Sequence, residues 1–127
     1  MTDRTIAIDT RDHGPVTVVC PPWCTGLHPA GLLREEIHHQ GEPVDITVDT
    51  SRGPRRLIEL TMWQTPWPVP SDRHSDDVHM VVQLLDGDAF GYDVQGLGAL
   101  ATDLMDAAAK VRRLSRRLAC EHRGGEW

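Results

Sequence analysis

The chain has 127 residues, 39% of them apolar and 25% charged, which suits one domain with a single core and excludes a fibrous or wholly disordered chain. The net charge of −6 is unevenly spread: residues 1–109 hold 7 Arg against 17 Asp and Glu (−10), and residues 110–127 hold 6 Lys and Arg against 2 Glu (+4). So acidic a body disfavours nucleic-acid binding over the whole surface, and no apolar run reaches the roughly 20 residues of a membrane-spanning helix. Met1-Thr-Asp-Arg-Thr-Ile shows no cationic stretch followed by an apolar one, so no secretory signal is expected and a cytoplasmic location is the default.

The first elements are strands. In Thr5–Thr10, Ile6 and Ile8 alternate with polar neighbours, and Val16–Cys20 resumes the pattern after a His13-Gly-Pro15 turn, which predicts a β-hairpin. Residues 20–41 are irregular, with Trp23, Leu27, Leu32, Leu33 and Ile37 as the apolar content and a short helix expected over Leu32–His39. Further strands are predicted at Val44–Val48, at Arg56–Trp63 with Ile58, Leu60 and Met62 in phase, and at Val78–Leu85, the densest of the three. Pro66, Pro68 and Pro70 lack the N–H that a central strand requires, so a loop runs to about Asp77. Ala89–Tyr92 is expected to pair across an Asp86-Gly-Asp88 turn.

Leu97, Leu100, Ala101, Leu104, Met105, Ala108, Val111, Leu114 and Leu118 recur at spacings of three and four, which predicts a helix over 97–119 with a basic end, roughly 33 Å long. Strands followed by one long helix give the α+β class. The expectation is a single domain over 1–127: an antiparallel sheet of five to six strands, one face covered by the long C-terminal helix, with a zinc-knuckle-like insert between strands 2 and 3.

Chemistry concentrates in that insert. It reads Cys20-Pro-Pro-Trp-Cys24-Thr-Gly-Leu-His28, then ten residues, then His39-Gln-Gly41. Zinc takes four tetrahedral thiolate and imidazole ligands, and Cys20, Cys24, His28 and His39 supply a closed Cys₂His₂ set. His38 competes for the fourth place, and spacing alone does not choose. The alternatives are a buried strand cysteine beside a free thiol and a solvated loop, or a Cys20–Cys24 disulfide, which the expected reducing compartment and the count of three cysteines disfavour. A metal ion also accounts for order in a segment so poor in apolar side chains, because its binding supplies folding energy on the order of 10 kcal/mol.

The run Cys-Pro-x-Trp-Cys, a following His and a His-x-Gly ahead of a strand-rich segment resembles a family of small actinobacterial domains of unknown function. In that family a Leu/Ala-rich helix follows the strands, as Gly98–Ala109 does here. The resemblance covers roughly residues 16–109, implies a metal site and no particular activity, and favours His39 over His38 because His39-Gln-Gly41 matches the His-x-Gly. The arginine-rich extension departs from the pattern.

A catalytic zinc keeps an open position and a carboxylate base, for which Glu35 and Glu36 are the candidates; no H-E-x-x-H helix or deaminase pattern is present, so a structural Zn²⁺ is expected. His74 and His79, beside Asp76 and Asp77, read as a solvated loop and a strand start. Trp63 and Trp67 read as packing residues at the edge of the core. Arg112, Arg113, Arg116 and Arg117 share one helix arc, suited to phosphate or to an acidic partner, and the apolar stripe opposite them offers a homodimer contact. Cys120 reads as an inert thiol. The leading expectation is a non-enzymatic, zinc-stabilised interaction module that binds a protein partner in a regulatory role. Nucleic-acid binding through the arginine-rich helix is the alternative, and a zinc-dependent hydrolase the second.

Overall fold

The computed structural model describes residues 4–72, 74–85 and 87–125. The order of elements is β1 (Arg4–Thr10), β2 (Gly14–Cys20), a 3₁₀ turn (Arg34–Glu36), β3 (His39–Gln40), β4 (Val44–Thr50), β5 (Gly53–Gln64), β6 (His79–Leu84), β7 (Ala89–Tyr92) and α1 (Val94–Gly125). The class is α+β with antiparallel pairing throughout the strand ladders, and the Cys/His-rich insert lies between β2 and β3. The chain divides into two compact units after Asp93, the second being α1.

The expected antiparallel sheet has five strands, β3 to β7. β1 and β2 form a separate two-stranded sheet, with Ile6 opposite Val18 and Ile8 opposite Val16. Residues opposite one another share a face, so the period-2 pattern puts Ile8, Thr10, Val18 and Cys20 into the interior while Thr5, Ala7, Thr17 and Val19 face outward. The turn closes at Gly14, whose φ of 63° favours glycine, and the Thr10 hydroxyl donates to the Gly14 carbonyl at 2.7 Å.

β5 is the spine of the other sheet, longer than its hydrophobic pattern predicts. β6 lies along one edge, while β3 and β4 lie end to end along the other: Trp63 pairs with both His79 and Gln40, and Leu60 with both Val82 and Val44. A register shift after Ile46 leaves Leu57 as the extra residue on β5, and its carbonyl accepts from the Leu85 N–H. One face of this sheet is apolar from edge to edge, with Val44 and Ile46 beside Ile58 and Leu60, then Val82 and Leu84, then Phe90. Ile58 and Val82 are fully buried, whereas Val44, Ile46, Leu84 and Phe90 are exposed. The β6–β7 connection contains Leu85 at a φ of 54° and a Gly87 N–H to Leu84 carbonyl bond; Asp86, the first residue of the expected turn, lies outside the described residues.

The helix expected over Leu32–His39 is one 3₁₀ turn. Leu33 and Ile37 flank it in extended conformation, and His39 joins β3 through its pairing with Gln64. This turn is held by the hairpin, for the Arg34 N–H donates to Asp12 Oδ1 at 2.9 Å and the Arg11 N–H to the Leu32 carbonyl at 2.9 Å. The helix α1 has 32 residues and extends past both expected ends. The N-terminal Met1–Asp3, on which the signal-peptide reading rested, is outside the described residues.

Candidate metal centre

Local devices deliver Cys20 and Cys24. Cys20 ends β2 on its inward face, in register with Arg4, and is fully buried. Pro21–Cys24 is a turn closed by the Cys24 N–H to the Pro21 carbonyl at 3.0 Å, with Pro22 at the second position, where its fixed φ is favoured. That reversal returns Cys24 to the end of β2. The Gly26 N–H then points at Cys24 Sγ from 3.4 Å, which Gly26 achieves at a φ of 78°. The Thr25 N–H donates to the Gln40 carbonyl at 2.9 Å, so the loop is sewn to β3, the strand that carries His39.

The four side chains converge. One ligand atom from each of Cys20, Cys24, His28 and His39 lies within 4.8 Å of all the others. His28 Nε2 is 3.1 Å from Cys20 Sγ and 3.7 Å from Cys24 Sγ. With Zn–S near 2.3 Å and Zn–N near 2.0–2.1 Å, neighbouring atoms of a tetrahedral shell sit about 3.3–3.8 Å apart, so one small cation fits among these donors. Cys20, Cys24 and His39 are 0, 4 and 2% exposed, and His28 is half-buried. The His28 and His39 rings meet edge to face at 5.6 Å. His39 Nδ1 is buried without a hydrogen-bond partner, which costs stability unless something else uses its lone pair.

The electrostatics favour a cation. Burial pushes the Cys20 thiol up to about 11, with the neighbouring Cys24 adding to the rise and Arg4 opposing it. Burial also lowers His28 and His39 below their ordinary value; repulsion between His28 and Arg4 adds to the effect at His28, and the crowding of imidazoles adds to it at both. Both imidazoles are thereby kept neutral, the form that donates a lone pair to a metal.

The cluster is also part of the hydrophobic core. Cys20 and Cys24 pack with Ile8, Val18 and Ile37, surrounded by Ile6, Val16, Trp23 and Trp67. Because His39 sits on β3 and Cys20 on β2, an ion here would tie the two sheets together. The match to the family runs from β1 into α1, over residues 5–120, and takes in all four residues. The chain belongs to the DUF6907 family, a domain of unknown function. No curated protein and no solved structure shows a significant match.

In this DUF6907 chain His38, the rival fourth ligand, faces away from the cluster. Its ring stacks on Trp63 at 3.7 Å, and its two nitrogens lie 3.1 Å from the Glu36 carbonyl and 3.2 Å from Gln40 Oε1. Glu36 Oε1 accepts from the Leu33 N–H at 2.8 Å and lies 3.9 Å from Arg11, and Glu35 is exposed on the same turn. Trp67 lies against the core with the Arg34 guanidinium 3.8 Å above its ring. His74 and Asp77 form an exposed pair at 3.5 Å, and among the described residues the four-residue group is the one set of three or more metal-ligating side chains that converge. Arg112, Arg113, Arg116, Arg117 and Cys120 are exposed residues of α1. Two contributors escaped the sequence reading. Arg4 donates to the Cys24 carbonyl from 20 residues away, and no local signal marks it. Gly26, two residues after a ligand cysteine, is legible as a glycine that frees an N–H for sulfur.

Proposed function

We propose that this domain is a non-enzymatic interaction module, stabilised by one structural Zn²⁺ on Cys20, Cys24, His28 and His39, that binds a protein partner in a regulatory role. The observation that carries the zinc assignment is the convergence of two thiols and two imidazoles in the core, with His39 Nδ1 otherwise unpartnered. Two sulfurs and two nitrogens suit zinc, and four protein donors complete its tetrahedral shell. A hydrolase needs an open coordination position, and a full shell leaves none. The partner reading is supported by the apolar sheet face, where Val44 and Ile46 on β4 stand exposed on one side of the buried Ile58 and Val82, and Leu84 on β6 and Phe90 on β7 on the other.

Elemental analysis with native mass spectrometry tests the site: one zinc per chain is expected. Cobalt substitution should give the visible bands of a tetrahedral S₂N₂ centre, unchanged by added azide or cyanide. Absence of stoichiometric metal, or bands that shift with the anion, would reject the closed structural site. Ile46→Glu with Phe90→Glu should abolish partner capture while zinc content and melting stay unchanged; capture that survives both substitutions would move the interface elsewhere. Nucleic acid is the second reading, favoured by four exposed arginines on one helix arc. It requires retardation of DNA or RNA that weakens steeply with salt and vanishes when all four become alanine.

A further inference from the structure

We propose that α1 is the seam of an antiparallel homodimer, in which the acidic half of each helix lies beside the basic half of the helix of a second copy. The inference goes beyond the zinc module and does not depend on it.

The helix is 32 residues long, about 48 Å at 1.5 Å per residue. Leu97, Leu104, Val111 and Leu118 recur every seven residues, with Leu100, Ala107 and Leu114 three places after the first three. That seven-residue repeat is the signature of a seam between two helices. Val111, Leu114 and Leu118 are 65, 63 and 57% exposed, so the C-terminal half of the stripe is bare.

Charge decides the orientation. Asp103 and Asp106 lie in the N-terminal half, and Lys110, Arg112, Arg113, Arg116 and Arg117 in the C-terminal half. Parallel pairing would bring the two basic halves together, whereas the seam-flanking Asp103 and Arg117 lie at opposite ends of the stripe. Antiparallel pairing sets acid beside base and also opposes the two helix dipoles favourably. The repeat then fixes a register: Leu104 opposite Leu114, Leu100 opposite Leu118, Val111 opposite Ala107, each occurring twice about the two-fold axis. In this register Asp103 flanks Arg117 of the second copy on both sides of the axis. The other flank carries Ala101, Ala108 and Ser115, all small, which lets the backbones approach closely. Among the charged residues Lys110 meets its own copy, and its long side chain can turn to solvent.

Sedimentation and light scattering of the full chain should give about twice 14.2 kDa. Leu114→Asp should leave a monomer of unchanged helicity by circular dichroism. Asp103→Arg or Arg117→Asp alone should weaken dimerisation by roughly tenfold, and the two together should restore it, because each reversed charge again meets its opposite. Ala108→Cys, in a Cys120→Ser background, should form a covalent dimer on mild oxidation, since two copies of residue 108 face each other only in the antiparallel register. A monomer mass at every concentration overturns the proposal. So does a double charge swap that stays as weak as the single ones, or a residue 108 thiol that does not cross-link.

Discussion

Removing the metal from Cys20, Cys24, His28 and His39 is the perturbation with the largest expected consequence. Without a cation, Cys20 at 0% exposure and His39 at 2%, with its Nδ1 unpartnered, remain as buried polar groups, each costing about 1–3 kcal/mol if unsatisfied. The lost binding energy is on the order of 10 kcal/mol, the scale of a whole domain's stability of about 5–15 kcal/mol. Ile8, Val18 and Ile37, the fully packed aliphatic side chains of this cluster, offset roughly 5–9 kcal/mol between them. Apolar packing of that size does not hold the insert and the β1–β2 hairpin once the ion is gone. Chelation, or Cys20→Ser, is therefore expected to melt residues 4–41 while β5 and β6 keep their pairing. The assay is thermal unfolding with and without chelator, alongside metal analysis and the fluorescence of Trp23, which lies edge-on to His39 at 6.4 Å. Hydrogen exchange of the β1 and β2 amides locates the change. A melting point that moves by less than about 5 °C, equivalent to about 1 kcal/mol, would refute the reasoning.

Acid should destabilise the protein early. His28 and His39 are held below 6.5 in the folded chain, so the unfolded chain takes up protons first; stability is full above about pH 6.5 and falls as pH drops below it. Urea midpoints from pH 8 to pH 5 should show this, and a flat profile would contradict it. Cys20, protonated up to about pH 11 without metal, must give up its proton to bind one, so calorimetry in buffers of different ionisation enthalpy should register proton release on zinc binding. Gly26→Ala should cost about 1–2 kcal/mol, because its φ of 78° strains any Cβ and the new atom would meet Arg4 Nη1 at 3.0 Å. The melting point should fall while zinc content stays at one per chain. Ile58→Ala, at a 2% exposed position on β5, should cost about 2–5 kcal/mol in urea unfolding and leave the metal in place.

Much of the secondary structure is legible because its causes are local. Ile6 and Ile8, like Val16, Val18 and Cys20, alternate because one face of the hairpin is buried, and the leucines of α1 recur because the helix has one stripe. Three of the four metal-site residues are legible in the same way, since Cys20, Cys24 and His28 lie within one turn and its exit loop. Asp12 and Arg4 were not, for each acts on residues more than 18 positions away through the hairpin's return.

The residues alone decided the donor types, the α+β class and the segment where chemistry gathers. They did not decide between His38 and His39, nor how the strands divide into two sheets. Both answers come from β3, two residues long, whose pairing with Gln64 and Trp63 no local pattern announces. Successive side chains in a strand point to opposite faces, so once that pairing is made His39 turns inward to the sulfurs and His38 turns outward to lie flat on Trp63. A register set by a partner strand more than twenty positions away is a property of the folded chain, and it is what completes the cluster of four Cys and His side chains.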